Sequence, residues 1–510
     1  MTQTASDSAP VVPAADSTDR PDAGQRQFAS LDPRTGEVLD HYPVDDADTV
    51  ADRVRGAREA TDWWAGLDFT GRREHLDAWR RLLVRRIDEF AALISAETGK
   101  PADDARLEVV LVIDHLHWAS KHASKVLGSR RVASGMLMPN QTATLAYQPL
   151  GVVGVIGPWN YPAFTPMGSI AYALSAGNAV VFKPSELTPG VGAFLADTFA
   201  EVVPDQPVFT VVTGFGETGA ALCRAGVDKI AFTGSTATGK RVMAACAETL
   251  TPVLVECGGK DVLIVDSDAD LEQAADAAVW GGMSNAGQTC VGVERVYVVD
   301  AVADRFVDLV AERARKLRPG GEPGADLGPI TMPAQVEIIR RHIRDAIDRG
   351  GRAVVGGPDS VRPPYVEPVV LVDVPEDSEA VAEETFGPTL TINRVPDVDR
   401  AVELANASKY GLGGTVFARA RGDELARRLR SGMVSVNSVI AFVAIPSLPF
   451  GGVGDSGFGR IHGEDGLREF ARPKAIAVTR FRSPLQPMTF NRGKRTVRTI
   501  MRLVRVLYGR

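Results

Sequence analysis

From Gly151 onward the chain alternates short apolar runs of strand length with stretches of helical length, a pattern that few folds accommodate. Residues 151–156 read as a buried strand, 164–176 as a helix and 179–182 as the next strand, with further strands at 208–212, 229–232 and 253–255. Such alternation predicts a parallel sheet covered on both faces, with functional loops at the strand C-termini. It resumes with strands at 262–265 and 295–299 and helices over 271–282 and 303–317, predicting a second α/β unit that begins near Cys257. A chain of 510 residues, 45% hydrophobic, can bury the cores of two or three domains.

The N-terminal part is helical in pattern. Val50, Val54, Ala57, Ala60 and Trp63 recur at three- and four-residue spacing. Leu76, Trp79, Leu82, Leu83, Ile87, Phe90, Leu93 and Ile94 carry a second helix to Gly99-Lys100-Pro101, where glycine and proline stop it. His115 and His117 point to different faces of a third helix, which argues against a shared metal. Residues 131–147 read as a hairpin around Pro139-Asn140, and 475–481 as a late strand. Residues 1–27 read as a disordered tail lacking the basic and apolar regions of a secretory signal.

A net charge of −7 with interspersed signs argues against nucleic acid as a partner. Four cysteines without a C-x-x-C pairing, and seven histidines without ligand spacing to them, support neither a disulfide framework nor a metal site. No apolar run reaches the ~20 residues that span a bilayer, so a cytoplasmic protein is expected. The C-terminal tail differs in character. From Lys494 to Arg510 it has no acidic residue; Val497, Ile500, Met501, Val504 and Leu507 form one helical stripe, and Arg495, Arg498, Arg502 and Arg505 lie beside it. Such a basic amphipathic helix packs on its own protein, docks on a neighbouring subunit or makes peripheral contact with an anionic membrane.

Cys290 closes the polar turn Asn285-Ala286-Gly287-Gln288-Thr289-Cys290. A free thiol, with a pKa of about 8.5, is mostly protonated at neutral pH, so a nucleophilic cysteine needs a base or positive potential. Without one it is a small buried hydrophobe. Glu256, ending a strand before Cys257-Gly258-Gly259-Lys260, is the candidate base; its alternative is a salt bridge to Lys260 or Arg295. Asn160, in Gly157-Pro158-Trp159-Asn160-Tyr161-Pro162, follows the first sheet strand and can donate to an alkoxide or serve as a turn residue.

Three stretches carry nucleotide signals. Phe182-Lys183-Pro184-Ser185-Glu186 ends a strand with a cation and a carboxylate suited to ribose hydroxyls. In the run from Phe232 to Lys240, Gly234, Ser235 and Gly239 put small residues where a helix starts, and its free N–H groups favour a diphosphate. Gly214-Phe215-Gly216-Glu217-Thr218-Gly219 spells G-x-G-x-x-G, but on a later strand, with Asp228 too near to be the ribose acid. A glycine turn for tight helix packing explains it as well.

Taken together these pieces resemble the aldehyde dehydrogenase superfamily. The matching segments are Pro158-Trp159-Asn160-Tyr161-Pro162, Lys183-Pro184-Ser185-Glu186, Phe232-Thr233-Gly234-Ser235-Thr236, Glu256-Cys257-Gly258-Gly259-Lys260, Gly287-Gln288-Thr289-Cys290, Glu383-Glu384-Thr385-Phe386-Gly387-Pro388 and Pro449-Phe450-Gly451-Gly452, in the family's order across 28–481. The resemblance implies that Cys290 attacks an aldehyde, that Asn160 and the Cys290 N–H hold the oxyanion, and that Glu256 activates water to hydrolyse the thioester. It also implies that Lys183 and Glu186 bind the adenosine ribose, that Trp159, Gly234, Ser235 and Gly239 belong to the cofactor site, and that Glu384 and Phe386 meet the nicotinamide riboside. The Gly214 turn is then not the phosphate cradle. Glu186 favours NAD, with NADP as the alternative. Cys257 stands where the family usually has leucine, and Val453-Gly454-Asp455 follows Pro-Phe-Gly-Gly where a basic residue is often found, as in the fatty and aromatic aldehyde branches.

The architecture implied is α/β: a Rossmann-like cofactor domain (28–130, 148–256), a catalytic domain (257–435), an oligomerisation arm (131–147, 471–482), a return to the cofactor domain (436–470) and the basic tail (483–510). A homodimer or homotetramer is expected. The segment 439–445, near the substrate tunnel in relatives, is apolar and holds no arginine, which implies an apolar aldehyde, aromatic or medium to long aliphatic. Succinate semialdehyde is the alternative substrate, and a non-catalytic binding member the alternative outside enzymes.

Overall fold

A computed structural model describes residues 26–483, 485 and 488–509. The tail expected over 1–27 lies outside the described residues except for Arg26 and Gln27, and Gln27 already opens a strand, Gln27–Leu31, paired antiparallel with Val38–Pro43.

Two sheets organise the chain. The first has six strands in the order Gly457–Phe458, Val253–Cys257, Lys229–Gly234, Val152–Ile156, Ala179–Lys183 and Phe209–Val211. All pair in parallel except Gly457–Phe458, which runs antiparallel along Val253–Cys257. The first of these strands in sequence, Val152–Ile156, is central: the chain builds outward through Ala179–Lys183, then crosses to Lys229–Gly234 on the other side. That reversal leaves a crevice at the strand C-termini, where ligands of doubly wound sheets bind. The second sheet has seven strands: Arg352–Val355, Val369–Val372, Thr389–Val395, Val293–Val299, Asp261–Val265, Gly414–Phe417 and Ser435–Val436. Three residues, Gly258 to Lys260, connect it to the first, so the C-terminal end of Val253–Cys257 opens directly between the sheets.

Strands such as Ala179–Lys183 and Asp261–Val265 are legible because they are buried on both faces and read as largely apolar runs. The helix Phe164–Ala176 falls on the expected residues, ended by left-handed Gly177. Two helical expectations need correction. Trp64, not Trp63, is the buried tryptophan of Ala47–Gly66, because its Nε1 reaches the Leu174 carbonyl at 2.9 Å while Trp63 remains exposed. The single helix expected across Leu76 to Ile94 is two, Phe69–Arg85 and Ile87–Thr98, broken at Arg86, whose guanidinium reaches Glu89 and Glu201.

Strands Arg130–Val132, Gln141–Pro149 and Ala471–Thr479 form a separate antiparallel sheet; the last begins earlier than the sequence suggests and is exposed along all but its first residue. The C-terminal helix, Lys494–Tyr508, has no buried residue, so packing on its own protein, one of the three readings of its sequence, is not what the structure shows.

Candidate active site

The turn that presents Cys290 has an unusual backbone. After the helix Leu271–Met283, residues Asn285, Ala286 and Gly287 take φ of 51°, 53° and 72° in succession. Left-handed conformation costs roughly 1–2 kcal/mol per non-glycine residue, so the surroundings must impose it. Asn285 Nδ2 donates to the Asn160 carbonyl at 3.1 Å. Gln288 Nε2 donates to the Asn285 and Pro329 carbonyls at 2.9 and 3.1 Å, and its Oε1 accepts from Thr331 N–H at 2.8 Å. At Gly287 any Cβ would collide with the Gly387 carbonyl.

Asn160 lies opposite. One hydrogen of its Nδ2 goes to the Gln288 carbonyl at 2.9 Å, which leaves the other free for an oxyanion. Its backbone oxygen accepts from Lys100 Nζ at 2.8 Å. Lys100 is paired with Glu108 at 2.6 Å, both side chains fully buried, and Glu108 accepts from the Ala163 and Phe164 N–H groups at 2.9 and 3.1 Å. This clamp is invisible in the sequence, where Gly99-Lys100-Pro101 reads as helix punctuation and the partners are distant.

Glu256 is buried, with Oε1 4.0 Å from Cys290 Sγ and Oε2 without a partner. The salt bridges open to it in the sequence are not formed. Lys260 pairs with Glu294 and donates to Thr385 Oγ1, and Arg295 Nε donates to the Lys260 carbonyl. Burial pushes the Glu256 carboxyl up to about 8. Burial, then the neighbouring carboxylates Glu256, Glu384 and Asp261, hold the Cys290 thiol well above its ordinary value. Once ionised, as it is increasingly from about pH 8, the Glu256 carboxylate is a base within reach of the thiol proton.

Glu384 accepts from Gly259 N–H at 3.2 Å, and burial followed by Glu294 raises it to about 8; a Cβ at Gly258 would strike its carboxylate. The Phe386 ring stands perpendicular to Trp159 at 5.6 Å. Glu294, unremarked in the sequence, ties this segment down by accepting from the Thr385 and Phe386 N–H groups at 2.8 and 3.0 Å.

A cavity of about 530 Å³ joins Cys290 and Asn160 to Trp159, Gly234, Ser235, Glu384 and Phe386. Ser235 caps the helix Thr236–Ala247, whose N-terminus faces this space and suits a diphosphate. The remaining candidates lie elsewhere. A Cβ on Gly239 would sit 3.1 Å from Cys257 Sγ, so this glycine serves close helix-to-strand packing. Buried Lys183 is 3.8 Å from Glu186, which borders a second cavity of about 580 Å³ with Glu97 and Leu187. The Gly214 turn directs its contacts to the N-terminal segment: Thr213 N–H and Thr218 Oγ1 donate to Asp45 at 2.7 and 2.8 Å. Neither this turn nor His115 and His117 borders the thiol cavity. His115 is buried against His462 at 4.1 Å between ring centres, with its Nε2 3.1 Å from the Val443 carbonyl.

A doubly wound sheet with a capped helix N-terminus at its crevice is a nucleotide-binding scaffold, and the thiol–carboxyl pair lies in the same cavity. The model of the aldehyde dehydrogenase family matches residues 20–476. The chain is 38% identical to 4,4'-diapolycopene aldehyde oxidase of Methylomonas sp, over 91% of this chain and 88% of that one. It is 36% identical to a putative succinate-semialdehyde dehydrogenase [NADP(+)] 2 of Mycobacterium ulcerans, over 88% and 87%. The crystal structure of an NAD-dependent aldehyde dehydrogenase from Sinorhizobium meliloti superposes with a TM-score of 0.86 at 32% identity, covering 91% and 93%. The chain belongs to the aldehyde dehydrogenase family, and is an NAD(P)-dependent enzyme acting on an aldehyde.

Proposed function

We propose that the enzyme oxidises an apolar aldehyde to its carboxylic acid through a thiohemiacetal and a thioester on Cys290. The observation that carries this is Cys290 Sγ at 4.0 Å from Oε1 of buried Glu256, whose Oε2 has no partner among the described residues, with the Asn160 amide clamped opposite. The Cys290 proton passes to Glu256 as sulfur adds to the carbonyl carbon. The resulting oxyanion is held by the second Asn160 Nδ2 hydrogen and the Cys290 N–H. A nicotinamide ring held in this cavity would supply the acceptor for the hydride that leaves this carbon. The cavity fits that group, since Trp159, Glu384 and Phe386 surround Cys290 in it. Glu256 releases the thiol proton to solvent and, ionised again, takes a proton from water; the hydroxide adds to the thioester, the Cys290 thiolate leaves as the acid forms, and the proton on Glu256 returns to the thiolate. Lys183 and Glu186 hold the adenosine ribose in this reading, and Glu186, a carboxylate, repels a 2′-phosphate and favours NAD. The exposed strand Ala471–Thr479 and the hairpin beside it form the surface for a dimer or tetramer.

Two features support an apolar substrate. Residues 439–445 contribute Phe442 and Val443 to the apolar core and no cation. Lys100, whose Nζ lies 4.1 Å from the Tyr161 ring centre, is already committed to Glu108 and is not free for a substrate carboxylate. The Methylomonas relative, a 4,4'-diapolycopene aldehyde oxidase by name, supports an apolar aldehyde; the Mycobacterium ulcerans relative, a putative succinate-semialdehyde dehydrogenase [NADP(+)] 2 by name, favours succinate semialdehyde and NADP. Catalytic efficiency with decanal, benzaldehyde and succinate semialdehyde, each with NAD and with NADP, separates the readings. Decanal or benzaldehyde is expected to exceed the acid semialdehyde by about tenfold or more. The reverse order overturns the apolar assignment, and better turnover with NADP overturns the role given to Glu186.

A further inference from the structure

The helix Lys494–Tyr508 is the most strongly amphipathic in the described chain, and none of its residues is buried. At about 100° per residue, Leu507, Ile500, Val504, Val497 and Met501 fall on one continuous arc. Lys494, Arg505, Arg498, Arg502 and Arg495 fill the arc beside it. The charge asymmetry extends beyond the helix: residues 471–510 contain eleven lysines and arginines and no acidic residue, in a chain whose net charge is −7. Phe490 is fully exposed just before the helix, and Tyr508 is exposed at its end.

We infer that this helix is an interfacial anchor that lies flat on an anionic phospholipid surface, with its apolar arc at the acyl boundary and its cations among the headgroups. Three physical features favour lipid as the occupant. The cations form an unbroken arc flanking the apolar one, as a planar interface of negative headgroups demands, and no acidic residue interrupts them. Aromatic rings stand at both ends, the position they take at a membrane interface. Fifteen helical residues reach about 22 Å, short of the ~30 Å hydrocarbon core, and no described helix is long and apolar enough to cross it. The helix therefore lies on the surface. The inference is independent of which aldehyde the enzyme oxidises.

Co-sedimentation of the full chain with vesicles tests it. Vesicles of phosphatidylcholine and phosphatidylglycerol are expected to capture the protein at least about tenfold better than phosphatidylcholine alone, with capture falling as salt rises. Val504→Asp, and separately Arg498→Glu with Arg502→Glu, are expected to abolish capture without moving the thermal unfolding midpoint. Absence of wild-type capture by the anionic vesicles overturns the inference, as does capture that survives both sets of substitutions. It is equally overturned if light scattering shows these substitutions reducing the number of subunits while the wild type ignores lipid, because the helix then docks on a second copy.

Discussion

The turn at Asn285–Cys290 and the C-terminal helix are opposites. In the turn three successive residues are held left-handed, and every polar side chain from Asn285 to Gln288 is spent on holding them there. The helix has the regular conformation its sequence favours, and no described residue buries it. Tertiary contacts dictate the first and local pattern dictates the second. A residue in the turn therefore carries consequences for chemistry and stability that an equivalent residue in the helix does not.

The contrast is steepest at the thiol itself. Cys290→Ser is expected to reduce NAD-dependent aldehyde oxidation by roughly 10⁴-fold or more, because a hydroxyl at this site is a far weaker nucleophile. Retention of more than a few per cent of wild-type turnover would show that another group performs the attack. Glu256 comes next. Its carboxyl is raised from 4.5 to about 8 in the folded chain, so its contribution to stability is present below about pH 4.5 and lost as pH rises through about 8. Glutamine cannot ionise. Relative to wild type, Glu256→Gln is expected to gain on the order of 4 kcal/mol between about pH 5 and pH 9 in denaturant unfolding, while thioester hydrolysis slows. Parallel stability curves for the two proteins would mean that Glu256 ionises normally and does not sit dry beside the thiol.

Gly287 tests the backbone rather than the chemistry. Gly287→Ala puts a methyl group into the Gly387 carbonyl at a positive φ, and is expected to cost about 3 kcal/mol or more with a matching fall in the unfolding midpoint. A loss under about 1 kcal/mol would show that the turn can relax, and that its left-handed run is not imposed by its neighbours.

What could be read in advance follows the same division. The strands Val152–Ile156, Ala179–Lys183, Lys229–Gly234, Asp261–Val265 and Val293–Val299 were legible because burial makes each a largely apolar run, and Gly99 marked a helix end; Gly414–Phe417, Ser435–Val436 and Gly457–Phe458 were not, being too short to carry a pattern. Cys290, Glu256 and Asn160 stood out as chemistry-bearing residues at strand ends and turns. Their supports did not. Lys100, Glu108 and Glu294 act on backbone groups brought near only by the fold, and a buried ion pair looks like any surface pair in sequence. Trp63 and Trp64 are adjacent and equally apolar, and only the Leu174 carbonyl decides between them. Ala286 carries no mark of its positive φ.

The helix supplies the weakest effect and the other limit of the contrast. With no residue of Lys494–Tyr508 buried, its removal sacrifices little apolar contact and leaves no orphaned partner. Deleting residues 494–510 is expected to change the stability of the remaining chain by less than about 0.5 kcal/mol, measured by denaturant unfolding in the absence of lipid. Turnover of a water-soluble aldehyde should be unchanged as well, since the thiol cavity is lined by residues up to Asp455 and none beyond it. A destabilisation of several kcal/mol would place the helix on the body of the protein in solution, its apolar arc already occupied, and the two regions would differ only in sequence and no longer in how their conformations are held.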